Sequence, residues 1–174
     1  MKLLPLPTYR PAIHTDSSCG SVVLATILQC STQEADMWMD LYAPKGWKGY
    51  TNVSHIRNVC EKNSIKMNKL RTIPKGLGIP LSHVTQPTAL FIQMKGPWER
   101  KGWRSSYSYT HWALMHHSSV MDINNFYEGQ EPGKPMWLPI DVWIEDAMSH
   151  LANSIEDCTG FKLRAMYEFI EVPQ

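Results

Sequence analysis

The sequence predicts an α+β domain in which helices come first and pack on an antiparallel sheet supplied mainly by the rest of the chain. Three observations predict it. Asp16 to Cys30 reads as a single buried helix, and two more helical patterns follow between Ser31 and Asn63. From Ile65 onward the pattern changes to short apolar or alternating runs separated by Pro- and Gly-bearing stretches. At 174 residues the chain reads as one domain, 1–174, long enough to bury a sizeable core.

Each element has its own local reason. Residues 1–15 are punctuated by Pro5, Pro7 and Pro11 and are expected to be extended across the body of the domain. Asp16, Ser17 and Ser18 carry side-chain oxygens that cap the unpaired N–H groups of a helix start. Val22 to Leu28 is apolar nearly all round, as in a buried helix. Ser31 and Glu34 have the spacing of a capping box for a second helix, running to Tyr42 with Met37, Trp38 and Leu41 on one face. A Gly-, Pro- and Lys-rich loop covers 43–50. A third helix is expected over Thr51–Asn63, where Ile56, Val59 and Cys60 fall at helical spacing.

Ile65 to Leu70 alternates apolar and polar, the signature of a half-exposed strand. Pro74, Gly76, Gly78 and Pro80 mark a connection, and Pro87 to Met94 reads as a buried strand. After a loop at 95–108, Thr110–His116 and Ser119–Ile123 form a hairpin with its turn at His117-Ser118. Residues 124–139 read as a loop. Residues 140–153 read as a helix with Val142, Ile144, Met148 and Leu151 as its apolar members, and Phe161–Val172 as a last strand.

The formal charge of +1 argues against nucleic acid or an anionic membrane as the main partner. No apolar run is long enough to span a bilayer, and prolines interrupt the leucines after Met1 before a signal-peptide core could form. The expectation is a soluble, cytoplasmic chain. Its four cysteines, Cys19, Cys30, Cys60 and Cys158, lack zinc-site spacing. The last three are expected to be structural thiols. His116 and His117 are adjacent on the predicted strand end and would point to opposite faces, so no metal is assigned. The pattern calls for no cofactor, and His55, His83 and His150 have no recognisable partner.

Cys19 is the chemically pointed residue. A free cysteine is most often a small buried hydrophobe, but a thiol at a helix start lies near partial positive charge, which favours the nucleophilic thiolate. Gly20 leaves room beside it for a substrate backbone. The partner would come from the hairpin: His111 opens one strand and Asp122 closes the next, which makes them near cross-strand neighbours. A carboxylate that holds one imidazole nitrogen fixes the tautomer and leaves the other nitrogen as a base. The three residues would form a Cys–His–Asp arrangement.

The block Asp16-Ser17-Ser18-Cys19-Gly20-Ser21-Val22-Val23-Leu24-Ala25-Thr26-Ile27-Leu28 resembles the nucleophile helix of papain-like cysteine peptidases. It is most similar to that of the bacteriocin-processing peptidases that cut after a double-glycine leader. Pro87 to Ile92, Thr110 to Met115 and Val120 to Asp122 are similar to that family's Pro-Ala-Ile, His and Asp-closing strands, so the resemblance spans 14–125. It implies a papain-like fold, Cys19 as nucleophile, His111 as base and acid, and Asp122 as orienting group, with Asn124 in reserve for that last role. It also implies an oxyanion-stabilising glutamine near position 13, where this chain has Ile13. His14 and Thr15 are the candidates to replace it.

Lys95 to Arg104 and Pro44 to Tyr50 interleave cations with tryptophans. They read either as loops flanking a substrate or as solvated loops with an anchoring ring. Gly20, Trp47, Trp103 and Trp112 are the candidates for lining the cleft. Three functions stay open at this point: a peptide- or amide-cleaving hydrolase with a peptide or protein substrate, a catalytically silent module binding a protein partner, and an acyltransferase using the same triad. The oligomeric state is not readable.

Overall fold

The computed structural model describes residues 19–42, 51–70, 84–99, 109–123 and 136–172. The expected extended N-terminus, the loop at 43–50 and the connection at 74–80 lie outside the described residues. So do the loop from 100 to 108 and residues 124–135. In chain order the elements are α1 (Cys19–Leu28), α2 (Thr32–Tyr42), α3 (Val53–Lys62), β1 (Ile65–Lys69) and β2 (Thr88–Lys95). A short 3-10 turn (Pro97–Glu99) precedes β3 (Thr110–His116), β4 (Ser119–Asp122) and β5 (Met136–Pro139). A helical run follows as α4 (Ile140–Val142), a π-helical segment (Trp143–Met148) and α5 (Ser149–Asn153), and β6 (Gly160–Glu171) ends the series.

The strands form one sheet in the order β1-β6-β2-β3-β4-β5, and every neighbouring pair is antiparallel. β6, the last strand, lies between β1 and β2, so the C-terminal segment joins the early strand to the rest of the sheet. Helices cover both faces. Ala89, Phe91, Trp112, Leu114 and Phe169 pack toward α1, α2 and α3. Leu90, Ile92, Met94, Ala113 and Met115 pack with Trp143 and Met148 of the C-terminal helical run. Double coverage explains why β2 reads as a continuous apolar run rather than an alternation, with every residue from Thr88 to Met94 buried. β1, at the sheet edge, keeps the expected alternation.

Local signals place the helices. From Gly20 through Ile27 every residue of α1 is buried, as its uniform apolar sequence requires. The capping box ahead of α2 is formed: the Ser31 N–H donates to Glu34 Oε2 at 2.8 Å, and the Glu34 N–H donates to Ser31 Oγ at 3.1 Å. The inward face of α2 is a correction. Met37 and Leu41 are 65% and 71% exposed, and Ala35 and Met39 are the buried residues. The helix places its smaller apolar side chain and the flexible thioether against α1. α3 begins two residues later than expected, because Asn52 caps it by accepting from the His55 N–H at 3.1 Å. His55 therefore does have a partner: its Nδ1 accepts from the Asn52 N–H at 3.4 Å.

Two further corrections fall in the second half. The region expected to be a loop to Pro139 contains β5, which pairs with β4 from Ser119↔Pro139 to Asp122↔Met136. Its four residues are too short a run to stand out beside Pro135 and Pro139. In the hairpin, His117 lies in the turn, as expected, with φ 53°. Its ring consequently lies 4.2 Å from that of His116, instead of on the opposite face. Among the described residues, no helix is long and apolar enough to cross a membrane.

Candidate active site

Three elements converge on one cluster of side chains. Cys19 is the first residue of α1 and is partly exposed, whereas the helix behind it is buried. Cys60 is fully buried in the helix-side core, and burial, aided by the Glu61 charge, pushes it up to about 12. Burial together with the Glu34 charge also raises Cys30 above the usual thiol range. Cys158 is partly buried, with its Sγ 3.2 Å from the Gly160 carbonyl oxygen.

His111 is the second residue of β3, and Asp122 the last of β4. The register pairs Leu114 with Met121 and Met115 with Val120, so Asp122 lies diagonal to His111 rather than directly opposite. A diagonal separation is within reach of an imidazole, and His111 Nε2 lies 2.7 Å from Asp122 Oδ2. His111 is 5% exposed and Asp122 1%, so water scarcely screens the pair. Cys19 is close enough to the imidazole for its charge and polarity to add to the effect of Asp122 on the ring's proton. Since Nε2 is held by the carboxylate, Nδ1 is the ring nitrogen not engaged by Asp122. Burial alone would lower the imidazole's affinity for a proton. The charge and hydrogen bond of Asp122, followed by the effect of Cys19, outweigh it and lift His111 to about 10.

Behind the carboxylate stands a residue that the sequence did not single out. The Trp143 indole N–H donates to the same Asp122 Oδ2 at 2.9 Å. Trp143 opens the π-helical segment and is 1% exposed. In the sequence it is one more apolar residue of a helical pattern, and only its N–H hints at a buried polar partner. Gln93, also buried, was equally unmarked. It pairs with Thr110 across the sheet, and its Nε2 lies 3.4 Å from the Tyr109 carbonyl oxygen, just ahead of His111.

The cleft candidates divide. Trp112 is a correction: at 2% exposure it is a core residue, with its ring centroid 4.6 Å from that of Phe91 and its N–H donating to the Thr51 carbonyl at 3.0 Å. Gly20 does permit a close approach, but Thr51 makes it: a Cβ at position 20 would lie 2.3 Å from the Thr51 Cβ. His14, Thr15, Trp47, Trp103 and Asn124 lie outside the described residues.

No family model matches the chain, and no curated protein matches it. Among solved structures, the chain is similar to the peptidase domain of Streptococcus ComA, a bi-functional ABC transporter involved in a quorum-sensing pathway. The two are 15% identical over 99% of this chain and 100% of that one, with a TM-score of 0.44.

Proposed function

We propose that the chain is a papain-like cysteine hydrolase that cleaves a peptide or other amide bond. What carries the reading is the buried His111–Asp122 pair, 2.7 Å apart, together with a partly exposed Cys19 at a helix start that acts electrostatically on the same imidazole. Cys19, as thiolate, attacks the carbonyl carbon of the scissile amide. His111 delivers its Nδ1 proton to the departing amine as the carbon–nitrogen bond breaks, leaving a thioester on Cys19. The now neutral imidazole then takes a proton from water as the water oxygen attacks the thioester, and the thiolate leaves. Asp122 holds Nε2–H throughout, keeping Nδ1 turned to the sulfur. The substrate is a peptide or protein, and no cofactor takes part.

The test is incubation with a mixed library of unstructured peptides, with cleavage read by mass spectrometry. Cleavage that disappears in both Cys19→Ala and His111→Ala supports the reading. Cleavage that survives Cys19→Ala overturns it, as does a wild type that cuts nothing and whose Cys19 reacts with iodoacetamide no faster than Cys158. The second reading is a silent module that binds a protein partner. Ile13, standing where the resembled family carries its oxyanion glutamine, favours it. One missing oxyanion donor costs about 10²–10³ in rate, which slows a hydrolase without abolishing it. A Cys19→Ala protein with its full biological effect selects the silent module.

A further inference from the structure

The Asp122 carboxylate has two donors on one oxygen. His111 Nε2 lies 2.7 Å from Oδ2, and Trp143 Nε1 lies 2.9 Å from the same atom. A carboxylate oxygen has two lone pairs, so both bonds fit. The two donors approach from different parts of the fold: His111 from the neighbouring strand, Trp143 from the helical run on the outer face of the sheet. The carboxylate is therefore fixed from two directions, in a setting where neither bond competes with bulk water, since Asp122 and Trp143 are each 1% exposed.

The backbone at Trp143 carries a second observation. The helical run from Ile140 to Asn153 is interrupted by a π-helical segment that starts at Trp143. A π turn takes an extra residue, so it rotates the faces after it relative to those before it, and such segments recur at functional sites. Within this run Ile140, Trp143, Ala147, Met148 and Ala152 are buried. The indole that meets Asp122 thus belongs to the first residue of this segment.

We propose that Trp143 is a positioning residue for the triad: its indole N–H pins Asp122, and through Asp122 it holds the His111 ring with Nδ1 turned to Cys19. This inference rests on the reading of Cys19, His111 and Asp122 as a triad. Trp143 touches neither sulfur nor substrate and acts only through the carboxylate. Its effect must therefore vanish when the carboxylate is gone.

The experiment uses the full chain and needs no known substrate. The rate of Cys19 alkylation by iodoacetamide near neutral pH is measured by mass spectrometry of the modified peptide in wild type, Trp143→Phe, Asp122→Ala and the double variant. A fifth protein carries 3-benzothienylalanine at position 143, which keeps the bicyclic shape and replaces N–H with sulfur, so a folding defect in Trp143→Phe does not decide the matter. Each change at 143 is expected to slow alkylation about tenfold, and to slow it no further when Asp122 is already alanine. Unchanged rates at 143 alongside a slow Asp122→Ala overturn the role of Trp143 and leave the triad standing. Slowing by Trp143→Phe that the benzothienyl variant does not share, or slowing that multiplies with Asp122→Ala, marks a space-filling residue and overturns the proposal. An Asp122→Ala protein that reacts like wild type fails the triad itself.

Discussion

His111 Nε2 and Asp122 Oδ2 are 2.7 Å apart in a setting where the two residues are 5% and 1% exposed, so their attraction is nearly unscreened. With the Asp122 and Cys19 charges outweighing burial, the imidazole keeps its proton up to about 10 instead of the ordinary 6.5. The native state thus holds a proton that the unfolded chain has released across that window, and stability must fall as pH rises through it. Below the ordinary histidine range the contribution is complete, and above about 10 it is gone. Urea denaturation from pH 6 to 10 is expected to show a loss from this group of at most about 1.4 kcal/mol per pH unit. The His111→Asn variant lacks that part of the slope. Identical slopes in the two proteins would mean that the ring is neutral in the native state.

The thiols provide a second comparison. Cys19 is partly exposed at the start of α1, whereas Cys60 is sealed in the core and pushed up to about 12. Cys30 is also raised by its burial. Iodoacetamide near neutral pH is expected to label Cys19 first, with Cys60 unreactive until the chain unfolds. Replacing His111 by alanine removes the imidazole proposed to activate the sulfur and is expected to slow Cys19 labelling by about 10²-fold. Equal labelling of Cys19 and Cys158 would remove the case for an activated nucleophile.

At position 20 the constraint is steric. Thr51 already fills the space that a side chain there would need, with its Cβ, Cγ2 and Oγ1 at 2.3–2.5 Å from an added Cβ. The Thr51 carbonyl is also bonded to the Trp112 N–H, so its backbone does not give way easily. Gly20→Ala is expected to destabilise by about 1–3 kcal/mol through overpacking and to displace Cys19, its chain neighbour. Thr51→Gly in the same chain clears the clash and restores part of the melting temperature. A Gly20→Ala protein that melts like wild type would show that Thr51 moves freely.

Much of this was legible in the residues, and the exceptions have physical reasons. The buried helix after Cys19, the Ser31–Glu34 capping box and the His111–Asp122 hairpin each depend on short-range chemistry, and short-range chemistry is written in neighbouring letters. The face of α2 was not legible, because Met37, Trp38, Met39 and Leu41 are all apolar and only tertiary packing decides which of them turns inward. β5 was hidden for the opposite reason: a four-residue strand that follows one proline and ends on another has too little pattern to read. The contact of Trp143 with Asp122 joins residues 21 positions apart through an irregular helical segment, which no periodicity describes. Trp112 was misread because an aromatic beside a candidate histidine looks equally suited to a cleft and to a core. Its place between Phe91 and Tyr167 settles that in favour of the core.

The corrected face of α2 leads to a prediction that reaches the site. Met39 is fully buried, and its sulfur lies 3.7 Å from Thr51 Oγ1, so it supports the residue that covers Gly20. Leu41, two positions on, is 71% exposed. Met39→Ala is expected to cost about 2–5 kcal/mol by leaving a cavity beneath Thr51. Leu41→Ala, made on the same helix with similar loss of apolar volume, is expected to stay within about 0.5 kcal/mol of wild type. Chemical denaturation measures both. In Met39→Ala the loosened Thr51 also frees the first turn of α1, so Cys19 labelling by iodoacetamide should slow under conditions where the protein remains folded. Equal costs for the two substitutions would place Leu41 in a packed environment and return α2 to the orientation that its apolar residues first suggest.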